Sequence, residues 1–225
     1  MGAFLDKLFQ KLPIWFPEFV EATWQTLQLT GAAFAIALAA GIVACLLRLS
    51  HVTPLRWAAI GFIEVGRAIP ALVILFLIYF GLQDLLPSLR LDSFTAAAIG
   101  LGLQGGAILA EVFRAGIEAV DRGQREASLA LGMTPARTML DVVAPQAIRV
   151  VLPPTGNYLV GLLKDTSIAA IIAAPELMLR AKDLASSSFL PMHAYVVVAI
   201  FYFALSYPLS LAVRRLEVKF ALPQR

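Results

Sequence analysis

The chain has 225 residues, 60% of them hydrophobic and only 15% charged, with a mean hydropathy of +0.81. Soluble domains carry about 25% charged residues, so this composition excludes a chain whose main solvent is water and predicts a single all-α membrane domain over residues 1–225. The net charge of +3 does not indicate a nucleic-acid partner, because the basic residues lie beside apolar segments and form no patch interleaved with exposed aromatics. Cys45 stands alone, and His51 and His193 are isolated. The sequence therefore offers no disulfide framework, metal site or catalytic constellation.

Residues 1–17 alternate apolar side chains (Phe4, Leu5, Leu8, Phe9, Leu12) with Asp6, Lys7 and Lys11, which predicts a short amphipathic helix on the outer surface. Lys7 and Lys11 precede an apolar run, Leu27 to Leu47, that is too long for a cleavable signal and reads as an anchor. Five segments are long and apolar enough to cross a bilayer, near 21–47, 55–82, 93–119, 150–174 and 191–214. An odd number of spans puts the termini on opposite sides. Placing the N-terminus outside and the C-terminus in the cytoplasm puts Arg122, Arg125, Arg137, Arg149, Arg214 and Arg215 inside, as the positive-inside rule requires. Trp15 and Trp24 then mark the outer interface and Trp57 the inner one.

Charges inside a span cost about 2.5–3.5 kcal/mol at mid-depth. Span two carries Glu64 and Arg67, three residues apart on one helix face, and span three repeats the spacing with Glu111 and Arg114. Most such charges are expected to pair with one another, while one or two face a solute pathway and meet its ammonium or carboxylate. Pro70 and Pro208 deprive the carbonyls of Gly66 and Ala204 of their helical partners. Both are simple kinks unless a cavity takes up the freed backbone. Span three also holds Gly100, Gly102, Gly105 and Gly106 around Gln104. The glycines predict close helix contact, and Gln104 requires a partner on another helix or on the solute.

The connection from Asp121 to Pro154 carries two sets of helix signals. Asp121 and Gln124 suit a capping box, Gly132 suits a left-handed exit, and Thr134-Pro135 starts a second helix that Pro145 ends or kinks. Small residues (Ala127, Ser128, Ala130) beside Arg125 and Glu126 fit either docking into a protein groove or resting on lipid headgroups. Span four contains Asn157, Tyr158 and the adjacent Lys164 and Asp165, which point in different directions.

Glu126-Ala127-Ser128, Gly132 and Val142-x-Ala144-Pro145 resemble the EAA motif of bacterial ABC importer permeases, with Ser128, Val142 and Ala144 as departures. Leu109 to Arg114, Leu131 to Thr134 (with Met133), Pro145 to Arg149 and Leu163 to Ser167 are similar to the polar amino-acid branch. This resemblance covers roughly residues 20–215. It implies the type I importer fold, and a bacterial cytoplasmic (inner) membrane protein that moves polar amino acids by alternating access. It also implies a second permease subunit (identical or related), a cytoplasmic ABC ATPase dimer that binds ATP and Mg, and an extracytoplasmic amino-acid-binding protein. Residues 121–145 would form the cytoplasmic coupling region, with Glu126, Ala127, Ser128, Gly132, Met133 and Thr134 engaging the ATPase. The residues that would line the substrate pathway are Glu64, Arg67, Gln104, Glu111, Asn157, Tyr158, Lys164 and Asp165. In relatives handling cationic amino acids the residue after this Asn is often acidic, so Tyr158 argues against a purely cationic substrate. Arg67-Ala68-Ile69-Pro70-Ala71 departs from the commoner Arg-Gly-Thr-Pro-Leu.

The chain has no Gly-x-x-x-x-Gly-Lys-Ser/Thr loop, so ATP would be hydrolysed by a partner and this chain would not be an enzyme. The alternative is an ATP-independent secondary transporter or channel using Glu64, Arg67 or Glu111 for ion coupling. The odd span number and the missing inverted repeat weigh against it.

Overall fold

The computed structural model describes residues 2–86 and 89–220; Met1, residues 87–88 and residues 221–225 lie outside them. Among the described residues every regular element is helical. Helix α1 (Gly2–Arg48) runs for 47 residues, about 70 Å, more than twice the roughly 30 Å of a hydrocarbon core. The expected separate surface segment, residues 1–17, is instead continuous with span one, and the helix passes through Pro13 and Pro17. The reason lies in packing. Trp15, Phe19 and Ala22 are buried against Leu177, Leu184, Ala194 and Val197, which anchors the first turns to the bundle. Trp15 is therefore a core residue, only 2% exposed, and does not mark an interface. Trp24 and Trp57 are largely exposed.

The expected second span divides. Helix α2 (Thr53–Ala68) stops at Ile69, which is extended, and Pro70 opens α3 (Ala71–Phe76). The chain continues through a π-helical stretch (Leu77–Gly81) into α4 (Leu82–Leu85). The two halves meet at 111°, so residues 55–82 form a broken element. Proline removes the next helical donor and biases its predecessor to extended backbone, which accounts for a break at Ile69. Helix α5 (Ser93–Glu118) follows, capped by the Asp92 side chain.

Next come α6 (Arg122–Ala130), α7 (Pro135–Arg137), a π-helical turn (Thr138–Val143) and α8 (Ala144–Asp165). Pro145 neither ends nor starts the helical path: Ala144 N–H donates to the Met139 carbonyl, five residues back. The widened turn precedes the proline, so span four rises from Ala144, earlier than residue 150. A 3-10 stretch (Thr166–Ile172) ends at Ala173 in the left-handed region. Helix α9 (Leu177–Ser188) then leaves at 48°, and α10 (Pro191–Phe220) completes the bundle.

The core is layered along α1. One apolar cluster joins α1, α9 and α10, a second joins α1, α3, α5, α8 and the 3-10 stretch, and a third joins Ala44, Ile63 and Ala110. The α1–α5 seam is unusually close. A Cβ on Gly106 would come within 2.5 Å of the Ala40 Cβ, so only glycine allows this approach.

Candidate functional site

Two places in the bundle concentrate the chemistry, and the first is the α6 end. Asp121 Oδ1 accepts from Gly123 N–H at 2.7 Å. Among the described residues Gln124 returns no side-chain bond, so the cap is single and not reciprocal. Gly132 turns the chain at φ +82°, where Met133 N–H donates to the Ser128 carbonyl and Gly132 N–H to that of Leu129. Thr134 caps α7, its Oγ1 accepting from Arg137 N–H at 3.3 Å with Pro135 first in the helix. Glu126, Ala127, Gly132 and Thr134 are exposed and Met133 is half-buried; Leu131 at the tip is 85% exposed. Ser128 differs from the expectation. It is buried, donates to the Arg125 carbonyl at 2.8 Å and lies 3.1 Å from Thr138 Oγ1. Its hydroxyl ties α6 to the π-turn below it, facing inward.

The second place is mid-bundle, on α5. Gln104 Nε2 donates to the Ile69 carbonyl at 3.2 Å. Its partner is therefore the backbone where span two breaks. One residue on, a Cβ at Gly105 would sit 2.1 Å from Tyr158 Oη, so the phenol of α8 lies against the bare α5 backbone. Gln104, Tyr158 and the Ile69–Pro70 break, each singled out separately in the sequence, thus converge on one level of α5.

The charges divide into paired and unpaired sets. Glu111 pairs with Arg48 of α1 and, at 2.8 Å, with Arg114, which also reaches Glu118. Glu111–Arg114 pairing was expected, but Arg48, 63 residues away from Glu111, was not foreseen as its partner. Glu64 and Arg67 do not pair with each other, contrary to expectation: both are exposed on α2, and no ion pair involves either among the described residues. Lys164 and Asp165, at the end of α8, are likewise exposed and without an ion-pair partner there. Asn157 is engaged within the chain, its Nδ2 donating to Glu217 Oε1 of α10 at 2.7 Å.

Sequence reasoning missed Glu176. It is only 1% exposed, caps α9 by accepting from the N–H groups of Met178 and Leu179, and receives the Tyr202 hydroxyl at 2.6 Å. Leu177 N–H donates to Thr26 Oγ1 at 3.0 Å, so the start of α9 is pinned to α1 and α10 together. The signal was faint, because glutamate is not a preferred cap residue.

A family model described as "Binding-protein-dependent transport system inner membrane component" matches residues 27–221. The chain is 37% identical over 202 residues to the probable glutamine ABC transporter permease protein GlnM of Bacillus subtilis (strain 168), covering 90% of this chain and 93% of the relative. It is 34% identical over 201 residues to the glutamine transport system permease protein GlnP of Escherichia coli (strain K12), covering 89% and 92%. Among solved structures, that of an amino acid ABC transporter with histidines superposes with a TM-score of 0.88 at 34% identity, covering 94% of this chain and 98% of the other. A structure of the MetNI methionine ABC transporter, at 18% identity and a TM-score of 0.73, shares the fold. With a matched model over most of its length and relatives aligned almost end to end, the chain belongs to the family of inner membrane components of binding-protein-dependent transport systems.

Proposed function

We propose that this chain is the permease subunit of an ATP-driven importer for a polar amino acid, with α6 at the cytoplasmic surface and the N-terminus outside. The observation that carries the reading is the α6–Gly132–α7 unit, a capped helix-turn-helix that presents Glu126, Ala127 and Leu131 outward and is bonded inward through Ser128. Such a surface suits a helix seated in the groove of an ATPase. Gly132, Met133 and Thr134 set the turn, and Ser128 acts through Thr138 as a positioning residue. The relatives' glutamine and amino-acid names support the substrate class. So do the unpaired Glu64, Arg67, Lys164 and Asp165, since carboxylate and cation together match a zwitterion's ammonium and carboxylate. Gln104 and Tyr158 join the break in span two and α8 to one level of α5. Glu111 and Asn157, already bonded within the chain, leave the pathway set. The full assembly has two permease subunits, two ATPases carrying ATP and Mg, and an extracytoplasmic binding protein.

The test is reconstitution of the chain with its ATPase and binding protein in proteoliposomes. Amino-acid uptake should require ATP and all components. In a Cys45→Ala background, Ala130→Cys should cross-link to the ATPase. Substituting Gly132 by Val forces a branched side chain to φ +82°, a strain of about 1–2 kcal/mol, and should uncouple ATP hydrolysis from uptake. Uptake by this chain alone on a proton or sodium gradient would replace the reading with that of a secondary transporter.

A further inference from the structure

Between the last turns of α1 and α5 and the rising face of α8 lies a partly open cavity of about 450 Å3, walled by Ile42, Phe113, Ala144, Ile148 and Leu152. Its walls are almost wholly hydrocarbon. The stretch of α8 that lines it, Ala144 to Thr155, rises about 16 Å, which is close to half of a roughly 30 Å hydrocarbon core. At its α6 end the cavity meets a second one of about 290 Å3, and Ile117 and Met139 line both. The second cavity is different in character: Arg125 and His51 stand in its wall. No carboxylate lies within ion-pair distance of Arg125 among the described residues. The joined groove is therefore amphipathic along the membrane normal, apolar at the depth of one leaflet and cationic at the surface.

We propose that this groove binds an anionic phospholipid, with one acyl chain in the apolar cavity and the phosphate at Arg125 beside His51. Charge complementarity selects the ligand, since a basic pocket between helices at a membrane surface attracts anionic headgroups while its apolar continuation takes the chain. A zwitterionic lipid fills the apolar part equally well but gains less at Arg125. The consequence reaches α6, because Arg125 and Leu129, both on that helix, line the headgroup cavity. A bound lipid tethers the coupling helix to the bilayer surface. The proposal rests on the cytoplasmic placement of α6 and is independent of which amino acid is carried.

The experiment is native mass spectrometry of the delipidated permease–ATPase complex, titrated with phosphatidylglycerol or phosphatidylcholine. The wild type should retain phosphatidylglycerol with a preference of about five-fold, the worth of one basic residue at an anionic surface. Arg125→Gln should abolish the preference and Arg125→Lys restore it. Ile42→Trp, on the half-exposed rim, should reduce retention of both lipids. Equal retention of the two lipids by the wild type, or a preference unchanged in Arg125→Gln, overturns the proposal. So does efficient cross-linking in membranes between two copies carrying Ile42→Cys and Cys45→Ala, which would make a second copy the occupant.

Discussion

Glu111 and Glu64 are both carboxylates placed three residues ahead of an arginine in an apolar helix, yet the bundle uses them in opposite ways. Glu111 is folded into a four-membered chain of charges, Arg48–Glu111–Arg114–Glu118, that joins α1 to α5. Glu64 and Arg67 are exposed on α2, although Arg67 lies one helical turn from the buried Ile63, and neither joins an ion pair among the described residues. Identical spacing therefore does not set the outcome. What decides it is whether a third charge from another helix can arrive, and Arg48 supplies one only to Glu111.

The contrast can be broken most forcefully at Glu111. Glu111→Gln leaves Arg48 and Arg114 facing each other in a partly buried site and should cost about 3 kcal/mol, read as a lower melting midpoint in detergent. The double variant with Arg48→Gln should recover much of that loss, because the repulsion is removed. Asp92 offers an intermediate case, a carboxylate whose partner is backbone. Its side chain accepts from the N–H and the hydroxyl of Thr95, and the N–H bond, foremost, holds its carboxyl below the usual range. A depressed folded pKa means that its contribution is complete above the unfolded value, about 3.9. It is lost as pH falls through the folded one. Asp92→Ala should cost about 1 kcal/mol at neutral pH, whereas Asp92→Asn should retain most of the cap and flatten the stability profile below about pH 4. The smallest stability effect belongs to Glu64→Gln and Arg67→Gln, each within about 0.5 kcal/mol. If these residues serve solute passage, reconstituted uptake should fall while the melting midpoint stays; a matching fall in the midpoint would place them with Glu111.

What could be read in advance follows from the range of the interactions. The α6–Gly132–α7 turn was legible because caps, a left-handed glycine and a first-turn proline act over a few residues. The break at Pro70 was legible as a lost donor, but neither its 111° angle nor the bond from Gln104 of α5 to the Ile69 carbonyl is encoded locally. The length of α1 was misjudged because the alternation of apolar and charged side chains over residues 1–17 suggested a separate surface helix, whereas Trp15 and Phe19 secure that stretch to α9 and α10. Asn157–Glu217 and Arg48–Glu111 join residues 60 and 63 apart, and no local pattern encodes them.

From Pro135 to Ile172 the backbone runs as one helical element, while the breaks fall at Ile69–Pro70 and after Ala173. With Ser128 bonded to the foot of that element, α6 is braced across the Gly132 turn and follows the α8 shaft as a crank. A shaft on the order of 55 Å long amplifies small inputs: a tilt of about 10° carries its far end roughly 10 Å, about the width of a helix with its side chains. Lys164 and Asp165 ride toward that far end, so such a tilt would carry these two charges much farther than it moves the foot beside α6.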